Sequence, residues 1–390
     1  MNIIYTDEQL ELIARIKSWF YSKERQYFAY TGGAGTGKTS VIKACIEELH
    51  LNPDEYIGCA FVGKAVLNLL QHEIPATTIH SLIFNTQIER EEYEDDFGRK
   101  RYKRSFSFVL KEALQKQYKL IIVDEAPMVN DDLIAKILSF GIKVIFIGDN
   151  NQLPPIFGSS SVMQSPDYTL TKIMRQSEDN PIVYLSQAVL RGEPLEIGTY
   201  GDSRIVPYYD ITKDILTDFD QILCTTNTAR DQFNDTIRMD ILHRISKDPV
   251  ITDKIICRQN DWTSEVDGIF LTNGLIGEIT DIRRAGASKG YYTIAFQPDF
   301  MERDFEDLKL DLKYMRASYE QKKNWGISKY QKFEYGYAIT VHLSQGSEYP
   351  RVLFADRMYR DREYLKKLRY TAITRAKQNI TIVLDNHERY

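Results

Sequence analysis

Short apolar runs alternate with amphipathic stretches over much of the chain, and this alternation predicts an α/β fold. In the first half, the runs at residues 27–30, 56–62, 119–123 and 143–147 have the length of buried strands. Apolar residues recur at helical spacing between these runs and ahead of the first one. After residue 168 the alternation resumes, with strands expected at 222–224, 352–355 and 380–384 and helices at 230–242 and 363–377.

One stretch in the first half breaks the alternation. Residues 87–108 consist of an acidic arm, then Phe97-Gly98, then a basic arm in which aromatic and polar residues alternate. Complementary charged arms about a turn predict a β-hairpin. A charged disordered loop is the alternative.

A second irregular stretch lies in the C-terminal half. Residues 255–294 contain short alternating strands, with hairpin turns expected at 272–274 and 286–290. This pattern predicts a small all-β insertion. The charged, aromatic-rich residues 299–335 show only weak helical periodicity and permit no assignment.

Length and composition narrow the class of protein. A chain of 390 residues is too long for a single core, so two to four domains are expected. With 43% apolar and 27% charged residues, and no apolar run near the roughly 18 residues of a membrane span, we expect no membrane association. The N-terminus lacks the pattern of a signal peptide, which indicates a cytoplasmic protein.

The cysteines, the histidines and the net charge exclude only a few further classes of protein. The four cysteines have no paired spacing and the six histidines do not cluster, so neither a disulfide framework nor a zinc site is expected. A net charge of −5 argues against indiscriminate coating of nucleic acid. It remains compatible with a local basic groove that binds a strand.

The strongest chemical signal is the glycine-rich segment 32–39, Gly-Gly-Ala-Gly-Thr-Gly-Lys-Thr, which joins a predicted strand to a predicted helix. Successive glycines let backbone amides converge on phosphates, Lys38 adds a positive charge, and Thr39 offers a hydroxyl to Mg²⁺. A glycine turn that carries a lysine by chance is the alternative. The segment predicts that the chain binds ATP or GTP.

Two carboxylates follow the third apolar run directly. Asp124 and Glu125 stand at the C-terminal end of this predicted strand, where α/β sheets bind ligands. Asp124 is suited to the Mg²⁺ shell and Glu125 to orienting and deprotonating an attacking water, which favours hydrolysis over passive binding. Ordinary surface carboxylates are the alternative. Gln152 follows the next strand, where an amide can report the state of the nucleotide.

Two further segments have a structural and a functional interpretation. Thr6 and Gln9 satisfy the capping-box pattern at the first helix, but the Gln9 amide could also recognise adenine, since it donates and accepts at once. In residues 77–82, hydroxyls and an imidazole could hold a phosphodiester backbone or simply cap a helix. The residues alone leave both alternatives open, with the cap favoured at Gln9.

Seven segments together resemble the ordered motif set of superfamily 1 helicases. They are residues 32–39, 78–82, 123–126, 148–155, 174–176, 338–348 and 370–377. The resemblance covers nearly the whole chain and is greatest to the RecD-like branch; the modest length and the hairpin suggest the Dda-type helicases of tailed phages. It implies two RecA-like P-loop lobes, with a β-hairpin insertion in the first and an SH3-like all-β insertion in the second.

The resemblance also implies domain boundaries and an activity. The boundaries are 1–84 and 110–173 for the ATP-binding lobe 1A, 85–109 for the hairpin 1B that acts as a wedge, 174–243 and 336–390 for lobe 2A, and 244–335 for insertion 2B. ATP hydrolysis with Mg²⁺ would drive 5′-to-3′ movement on single-stranded DNA and strand separation at junctions. A monomer in the host cytoplasm is expected if a phage encodes it, with a replication or single-strand-binding protein as a candidate partner.

Site residues carried over from the family fall into three groups. The nucleotide group is Gln9 as the adenine-reading residue, Gly33, Ala34, Gly35, Thr36, Gly37, Lys38, Thr39, Gly346 and Glu348, with Thr39 and Asp124 on Mg²⁺. The catalytic group is Lys38, Asp124, Glu125, Gln152, Arg175 and Arg375, the two arginines reaching the γ-phosphate from the other lobe. The DNA-contact group is Lys64, Thr78, His80, Phe97, Thr340, His342 and Ser344.

The family's motifs do not support two of these residues, Lys64 and Phe97, as directly as the others. Gly63-Lys64 stands where the family often has a threonine-containing segment, and Phe97 is placed at the wedge by its position in the hairpin. A DNA-stimulated ATPase that acts as a nucleotide-dependent switch or loader, without separating strands, is the alternative function. A P-loop kinase or metabolic ATPase would leave the second half of the chain unexplained.

Overall fold

The structure, a computed structural model, describes residues 5–94, 100–154, 160–173, 180–267, 269–323, 325, 328–357 and 361–384. The chain divides into two units. Residues 1–32, 36–150 and 154–172 form the first unit; residues 33–35, 151–153 and 173–390 form the second. In the described ranges, no helix is both long enough and apolar enough to cross a membrane.

The first unit contains eight of the described strands and six helices. The strands are β1 (Tyr27–Gly32), β2 (Tyr56–Ala60), β3 (Ala76–Thr78), β4 (Phe84–Glu94), β5 (Lys100–Leu110), β6 (Leu120–Asp124), β7 (Lys143–Gly148) and β8 (Tyr168–Leu170). The helices are α1 (Asp7–Tyr21), α2 (Lys38–Glu48), α3 (Gly63–Gln71), α4 (Ile79–Ile83), α5 (Asp131–Leu138) and α6 (Ser161–Gln164), with a 3₁₀ turn at Ala126–Met128.

Six of these strands form a parallel sheet in the order β3-β2-β6-β7-β1-β8. Its strands are apolar on both faces because helices cover both sides. In β6, Leu120 and Ile122 pack into one core cluster while Ile121 and Val123 pack into another, as the two-residue period of a strand requires. Burying each such side chain contributes about 1.5–3 kcal/mol.

The remaining two strands confirm the predicted hairpin. β4 and β5 pair antiparallel from Phe84↔Leu110 to Glu94↔Lys100, so positions of the acidic arm stand opposite positions of the basic arm. The connection, including Phe97, lies outside the described residues.

The second unit is built around another largely parallel sheet. Its strands are β9 (Gly198–Tyr200), β10 (Ser203–Pro207), β11 (Gln221–Cys224), β19 (Ala338–Thr340), β20 (Tyr349–Asp356) and β21 (Ala376–Leu384), in the order β19-β11-β20-β21-β10-β9. Only β9 runs antiparallel to its neighbour. The helices α7 (Pro181–Arg191), α8 (Asn227–Asp235) and α11 (Arg362–Ile373) flank it, with 3₁₀ turns at Tyr208–Asp210, Asp214–Thr217 and Val341–Ser344.

Between β11 and β19 the chain forms a separate antiparallel sheet, ordered β17-β16-β15-β12-β18. Its elements are β12 (Lys254–Cys257), the β13 (Asp261–Val266) and β14 (Ile269–Leu271) pair, β15 (Ile276–Arg283), β16 (Tyr291–Pro298), β17 (Phe305–Asp311), α9 (Leu312–Arg316), α10 (Tyr319–Lys322) and β18 (Phe333–Tyr335). This is the predicted all-β insertion; its SH3-like character stays a prediction.

Residues 299–335, which the sequence left without an assignment, complete this insertion. Phe305, Leu308 and Leu310 of β17 and Phe333 of β18 are buried in its core. The alternation was hard to recognise because charged residues fill the outward positions, and because the strand pairing of β16 with β17 has an irregularity after Ile294.

Two local expectations were wrong, and a third was right in its extent but not in the type of helix. The helix expected to 377 ends at Ile373, since Thr374 caps it and Ala376 already pairs with Tyr349 in the sheet. The helix expected to 242 changes to a π-helix over Thr236–Ile241. Residues 272–274 do not close a hairpin, because β14 pairs with β13 and β15 pairs with β12 and β16.

Ion pairs of the buried Glu334 connect the insertion to helix α8 of the second unit. Glu334 of β18 is 5% exposed and lies 3.2 Å from Arg230 of α8, 3.1 Å from Arg258 and 3.2 Å from Lys322. Burial alone would raise the pKa of Glu334, but the neighbouring cations outweigh it and hold the pKa below its usual value.

Candidate nucleotide-binding site

The glycine loop connects β1 directly to α2, as the sequence predicts. Gly35 and Gly37 have φ angles of 78° and 76°, in the left-handed region that side chains with a Cβ avoid. A Cβ at Gly32 would lie 2.5 Å from the Thr36 hydroxyl oxygen, so this position also requires glycine. The chain therefore turns tightly enough to bring its amides to the start of α2, which is the geometry of an anion site.

The first residue of α2 is Lys38, and its position is fixed from both ends. The Lys38 Nζ donates to the Gly32 carbonyl at 2.8 Å, across the mouth of the loop. The Tyr30 hydroxyl donates to the Lys38 carbonyl at 2.9 Å. Burial raises the pKa of Tyr30, so this hydroxyl stays protonated and keeps donating. Thr39 follows in the first turn of α2.

The two predicted carboxylates stand at the end of β6. Glu125 has φ 51° and ψ 41°, an uncommon conformation for a residue with a side chain, and its amide donates to the Asp124 carboxylate at 2.9 Å. Such a conformation costs about 1–3 kcal/mol and is concentrated at functional sites. Since β6 and β1 are parallel and both flank β7, Asp124, Glu125 and the glycine loop share one edge of the sheet.

The end of β7 contacts both the end of β1 and the segment that follows β6. The Thr31 hydroxyl donates to the Gly148 carbonyl at 3.2 Å and accepts from the Asn150 amide at 3.2 Å. A Cβ at Gly148 would lie 2.1 Å from Pro127, so only glycine lets the segment after Glu125 approach so closely. Sequence reasoning noted the Gly148 motif but not this contact, for which the sequence carries no local signal. Gln152 lies four residues after Gly148, and its coupling role stays a prediction.

Gln9 contacts the glycine loop from α1. Its Oε1 accepts from the Thr6 amide at 2.9 Å, which with the Thr6 cap completes the capping box, and its Nε2 donates to the Thr36 carbonyl at 2.9 Å. The side chain is 1% exposed. The capping box is thus confirmed, and the structure adds a contact to the loop; adenine recognition stays a prediction.

The residue before it makes a second long-range connection that sequence reasoning missed. Glu8 accepts from the Thr171 hydroxyl at 2.6 Å and from the Thr171 and Lys172 amides at 2.9 and 2.8 Å. Burial acts to raise the pKa of Glu8, but these hydrogen bonds lower it overall. The first turn of α1 therefore ties the glycine loop to the end of β8. An acidic residue near a helix start gave no hint of a partner so far along the chain.

Two of the predicted DNA-contact residues of the first unit, Thr78 and His80, lie next to the base of the hairpin. Thr78 caps α4 by accepting from the Ser81 amide at 3.2 Å, which confirms the structural alternative for this segment. The His80 ring packs against Phe61, Phe84 and Phe108, at centroid distances of 5.9, 5.6 and 5.3 Å.

Since Phe84 and Phe108 belong to the two hairpin strands, His80 joins α4 to the hairpin. Burial, with the charge of Lys136, lowers the pKa of His80, so its ring is neutral at pH 7. Lys64 lies in the first turn of α3.

In the second unit, the end of β19 and the 3₁₀ turn after it hold three predicted DNA contacts. His342 Nε2 lies 2.5 Å from the Tyr364 hydroxyl, and the two rings stack at 6.0 Å. Burial lowers the pKa of His342. Ser344 is fully buried and donates to the Val341 carbonyl at 2.7 Å, while Thr340 is 8% exposed. The DNA contacts of all three stay predictions, and Ser344 has a structural role in the 3₁₀ turn.

Arg375 is the predicted catalytic arginine whose surroundings the structure describes. Its guanidinium donates to the carbonyls of Thr371 and Ser347, both at 3.1 Å, and to the Thr374 hydroxyl at 3.2 Å. The residue is 4% exposed. These bonds orient the guanidinium on three of its five donors.

The other candidates near this segment are placed as follows. Gly346 has a φ of 71°, and Glu348 pairs with Lys377 at 3.1 Å. Arg175, like Phe97, lies outside the described residues.

Comparison with known proteins identifies the class to which this arrangement belongs. Residues 5–208 match the AAA domain family, and residues 335–383 match the UvrD-like helicase C-terminal domain. The chain therefore belongs to the AAA domain family, and its C-terminal part matches the UvrD-like helicase C-terminal domain.

Two relatives and one solved structure place it further. The chain is 30% identical over 185 residues to the ATP-dependent RecD2 DNA helicase of Deinococcus radiodurans, a match that covers 45% of this chain and 23% of that protein. It thus spans about a quarter of that relative's length. It is 24% identical over 434 residues to the ATP-dependent DNA helicase dda of Enterobacteria phage T4, covering 93% of this chain and 95% of that protein.

The crystal structure of Bacteroides Pif1 bound to single-stranded DNA superimposes with a TM-score of 0.52 at 18% identity, covering 97% of this chain and 92% of that one. At this identity the likeness concerns the fold. It confirms the predicted α/β architecture of two RecA-like lobes.

Proposed function

We propose that the chain is an ATP-dependent DNA helicase that moves 5′ to 3′ along single-stranded DNA and separates the duplex ahead of it. The observation that supports this most is the shared sheet edge, where the glycine loop after β1 meets the Asp124-Glu125 pair after β6. This shared edge supports a single site for phosphate binding and water activation. Both curated relatives described above are named as ATP-dependent DNA helicases.

In this proposal the residues of the edge divide the chemistry of hydrolysis. Amides of residues 33–39 and the Lys38 ammonium bind the β- and γ-phosphates of ATP, and Glu125 orients and deprotonates the attacking water. The hydroxyl of Thr39 and the carboxylate of Asp124 are hard oxygen donors that suit Mg²⁺. When bound, Mg²⁺ neutralises charge on the phosphates. Gln9 recognises adenine while holding the loop through Thr36.

The second lobe supplies positive charge to the transition state. Arg175 and Arg375 would reach the γ-phosphate when the lobes close, which makes hydrolysis depend on closure and converts ATP turnover into movement. Gln152, Gly346 and Glu348 would couple the nucleotide to this change. The bonds that orient the Arg375 guanidinium support a preorganised role, since a positioned charge loses less entropy on reaching its target.

DNA contacts are proposed on both lobes, with the domain boundaries that the sequence predicts. Lys64, Thr78 and His80 would hold the strand on lobe 1A, and Thr340, His342 and Ser344 on lobe 2A. The hairpin 1B would act as the wedge, with Phe97 stacking on a base at the junction. The bound strand in the Bacteroides Pif1 structure, which shares the fold, supports single-stranded DNA as the partner.

Strand displacement tests this function directly. We expect the chain with ATP and Mg²⁺ to separate a duplex that carries a 5′ single-stranded tail and to leave a 3′-tailed duplex intact. Displacement of the 3′-tailed duplex alone would reverse the polarity. DNA-stimulated ATP hydrolysis without displacement of either substrate would favour the alternative, a nucleotide-dependent DNA-binding switch or loader.

The hairpin has its own test. Replacing residues 91–101 by a short Gly/Ser turn should spare DNA-stimulated ATP hydrolysis and translocation on single strands while severely reducing duplex unwinding, and Phe97→Ala should do so more weakly. Unwinding at the wild-type rate would show that the wedge lies elsewhere. Loss of ATP hydrolysis as well would make the hairpin a structural element.

A further inference from the structure

Two tyrosines lie against each other on the insertion, among lysines. The rings of Tyr291 and Tyr330 have centroids 4.7 Å apart and planes tilted by 44°. Lys309 Nζ lies 5.5 Å from the Tyr291 ring centroid, and Lys329 Nζ lies 4.9 Å from that of Tyr330. The Tyr330 hydroxyl donates to the Lys289 carbonyl at 3.3 Å. We refer to these five residues as the tyrosine platform.

The platform is separate from the core of the insertion. Along β16, Tyr292, Ile294 and Phe296 are buried, whereas Tyr291 belongs to the alternate set of residues that face the other side of the sheet. Tyr291 and Tyr330 are both partly exposed. Packing of the core therefore does not account for the pair of rings.

Within the part of the chain that the structure describes, the lysines of the platform have no carboxylate partner. Among the described residues, Lys289, Lys309 and Lys329 are exposed and form no ion pair, while Arg283 and Arg316 of the same insertion each pair with an aspartate. The ammonium groups of Lys309 and Lys329, which lie at the two rings, produce a local positive potential, and Lys289 adds a third positive charge to this part of the insertion.

The carboxylate that stands opposite Tyr291 in the sheet does not change this. Asp311 is 7% exposed and accepts from the Tyr314 amide at 3.1 Å and from the Ser328 hydroxyl at 2.5 Å. Its charge is thus used in the cap of α9, inside the insertion.

We propose that the tyrosine platform is an additional binding site for single-stranded DNA on the insertion. An unpaired base stacks on the partly exposed tyrosine pair, and the ammonium groups of Lys309 and Lys329, which lie over the two rings, turn to the flanking phosphates. Duplex DNA does not offer its base faces, so stacking restricts the site to single strands. The inference rests on the proposed function, because it assumes that the chain binds such a strand.

Fluorescence anisotropy of a labelled oligothymidylate that binds to the full chain tests both the stacking and the phosphate contacts. The double variant Tyr291→Ala/Tyr330→Ala should bind about tenfold more weakly, which corresponds to the loss of one stacked base. The double variant Lys309→Gln/Lys329→Gln should reduce the slope of log affinity against log salt concentration by about 1.4, or roughly 0.7 for each phosphate contact.

Matched controls remove the same groups elsewhere. Tyr209→Ala removes an exposed tyrosine, and Lys247→Gln/Lys313→Gln removes two exposed lysines of the same region that form no ion pair among the described residues. Both should leave the affinity and the salt slope unchanged. Photocrosslinking of an oligonucleotide that carries 5-iodouracil should label a peptide containing Tyr291 or Tyr330.

The inference would be overturned if both platform variants kept the wild-type affinity and salt slope and no crosslink formed at Tyr291 or Tyr330. The proposed function would still stand in that case if single-stranded DNA stimulated ATP hydrolysis. An equal loss of affinity for duplex DNA would also overturn it, since it would indicate a charged surface without stacking. Failure of the wild-type chain to bind any single strand would instead remove the proposed function itself.

Discussion

The two parallel sheets use the same strand-loop-helix connection in opposite ways. After β1 the chain passes through Gly35 and Gly37, and α2 begins with no side-chain cap. After β11 it reaches α8 through Thr226, whose hydroxyl accepts from the Ala229 amide at 3.2 Å. An uncapped helix start leaves its amides for an anion, whereas a capped one satisfies them within the protein.

The first basic side chain of α2 and that of α8 also differ in what they contact. Lys38 opens α2 and lies across the glycine loop. Arg230 of α8 is 3% exposed and pairs with Asp231 and Glu334, so its charge stabilises the junction with the insertion. Two similar frameworks thus have different roles: the first sheet offers a nucleotide site, and the second holds the insertion and carries Arg375.

The largest expected effect tests whether the second unit controls the rate of hydrolysis. Arg375→Ala should lower turnover of ATP by about 10³–10⁵, with little change in ATP affinity, because charge at the γ-phosphate matters most in the transition state. Single-turnover hydrolysis and equilibrium ATP binding measure the two quantities. Arg362→Ala, at an exposed position at the start of α11, is the control. Collapse of ATP affinity with unchanged turnover of bound ATP would make Arg375 a binding residue.

The next effect concerns the first sheet. Glu125→Gln keeps the shape and most hydrogen bonding of the side chain but removes the base, so ATP should still bind while turnover falls by about 10²–10⁴. Glu112→Gln, at an exposed position of the same unit, should have no effect. Near-normal turnover of Glu125→Gln in a single-turnover assay would remove Glu125 from this role.

A third effect separates the stability of the second unit from the nucleotide site of the first. Glu334→Gln leaves buried cations uncompensated and should lower the free energy of unfolding by about 3 kcal/mol at pH 7, without changing ATP affinity. Denaturant unfolding and equilibrium binding are the measurements. Glu265→Gln, an exposed residue of the insertion, should change neither quantity.

The difference in stability between the wild type and Glu334→Gln should depend on pH. The pKa of Glu334 is lowered in the folded chain, so its stabilisation is complete above the unfolded-state pKa of about 4.3 and is lost as the pH falls through the lower folded-state pKa. The stabilities of wild type and Glu334→Gln should therefore converge in acid. A constant difference over this range would contradict the assignment.

The smallest effect compares two glycines with the same backbone conformation. Gly37 and Gly192, which ends α7, have φ angles of 76° and 78°, so alanine at either should cost about 1 kcal/mol of stability. Only Gly37→Ala should also weaken ATP binding, because Gly37 lies in the glycine loop. A Cβ at Gly192 meets nothing within 4 Å, so this change tests the backbone cost alone. Thermal unfolding and calorimetric titration with ATP measure the pair. Equal ATP affinity in both variants would show that the loop tolerates the change.

Local patterns accounted for the elements that carry the nucleotide site. The glycine loop, the strand before it and the helix after it follow from residues adjacent in sequence, as does the placement of Asp124 and Glu125 after an apolar run. The hairpin was also predictable, because its arms are close in the chain and complementary in charge and period.

Partners distant in the chain had no such signal. Glu8 bonds to Thr171, 163 residues later, and His80 packs on Phe108. β17 and β18 join a sheet whose other strands begin at Lys254, although their outward charges conceal the alternation. Such partners are selected by packing and not by neighbouring residues.

Most strands and helices outside residues 299–335 follow from short-range patterns in the sequence, because the periods of 2 and 3.6 residues and the conformational demands of glycine turns act over short distances. The strand order that brings the ends of β1, β6 and β7 to one edge depends instead on long-range packing, which is seen only in the folded chain. The tertiary structure also decided that Gly148 must admit Pro127, and that the charge of Arg230 is used inside the protein. These depend on which apolar faces pack together, a choice made over the whole chain at once.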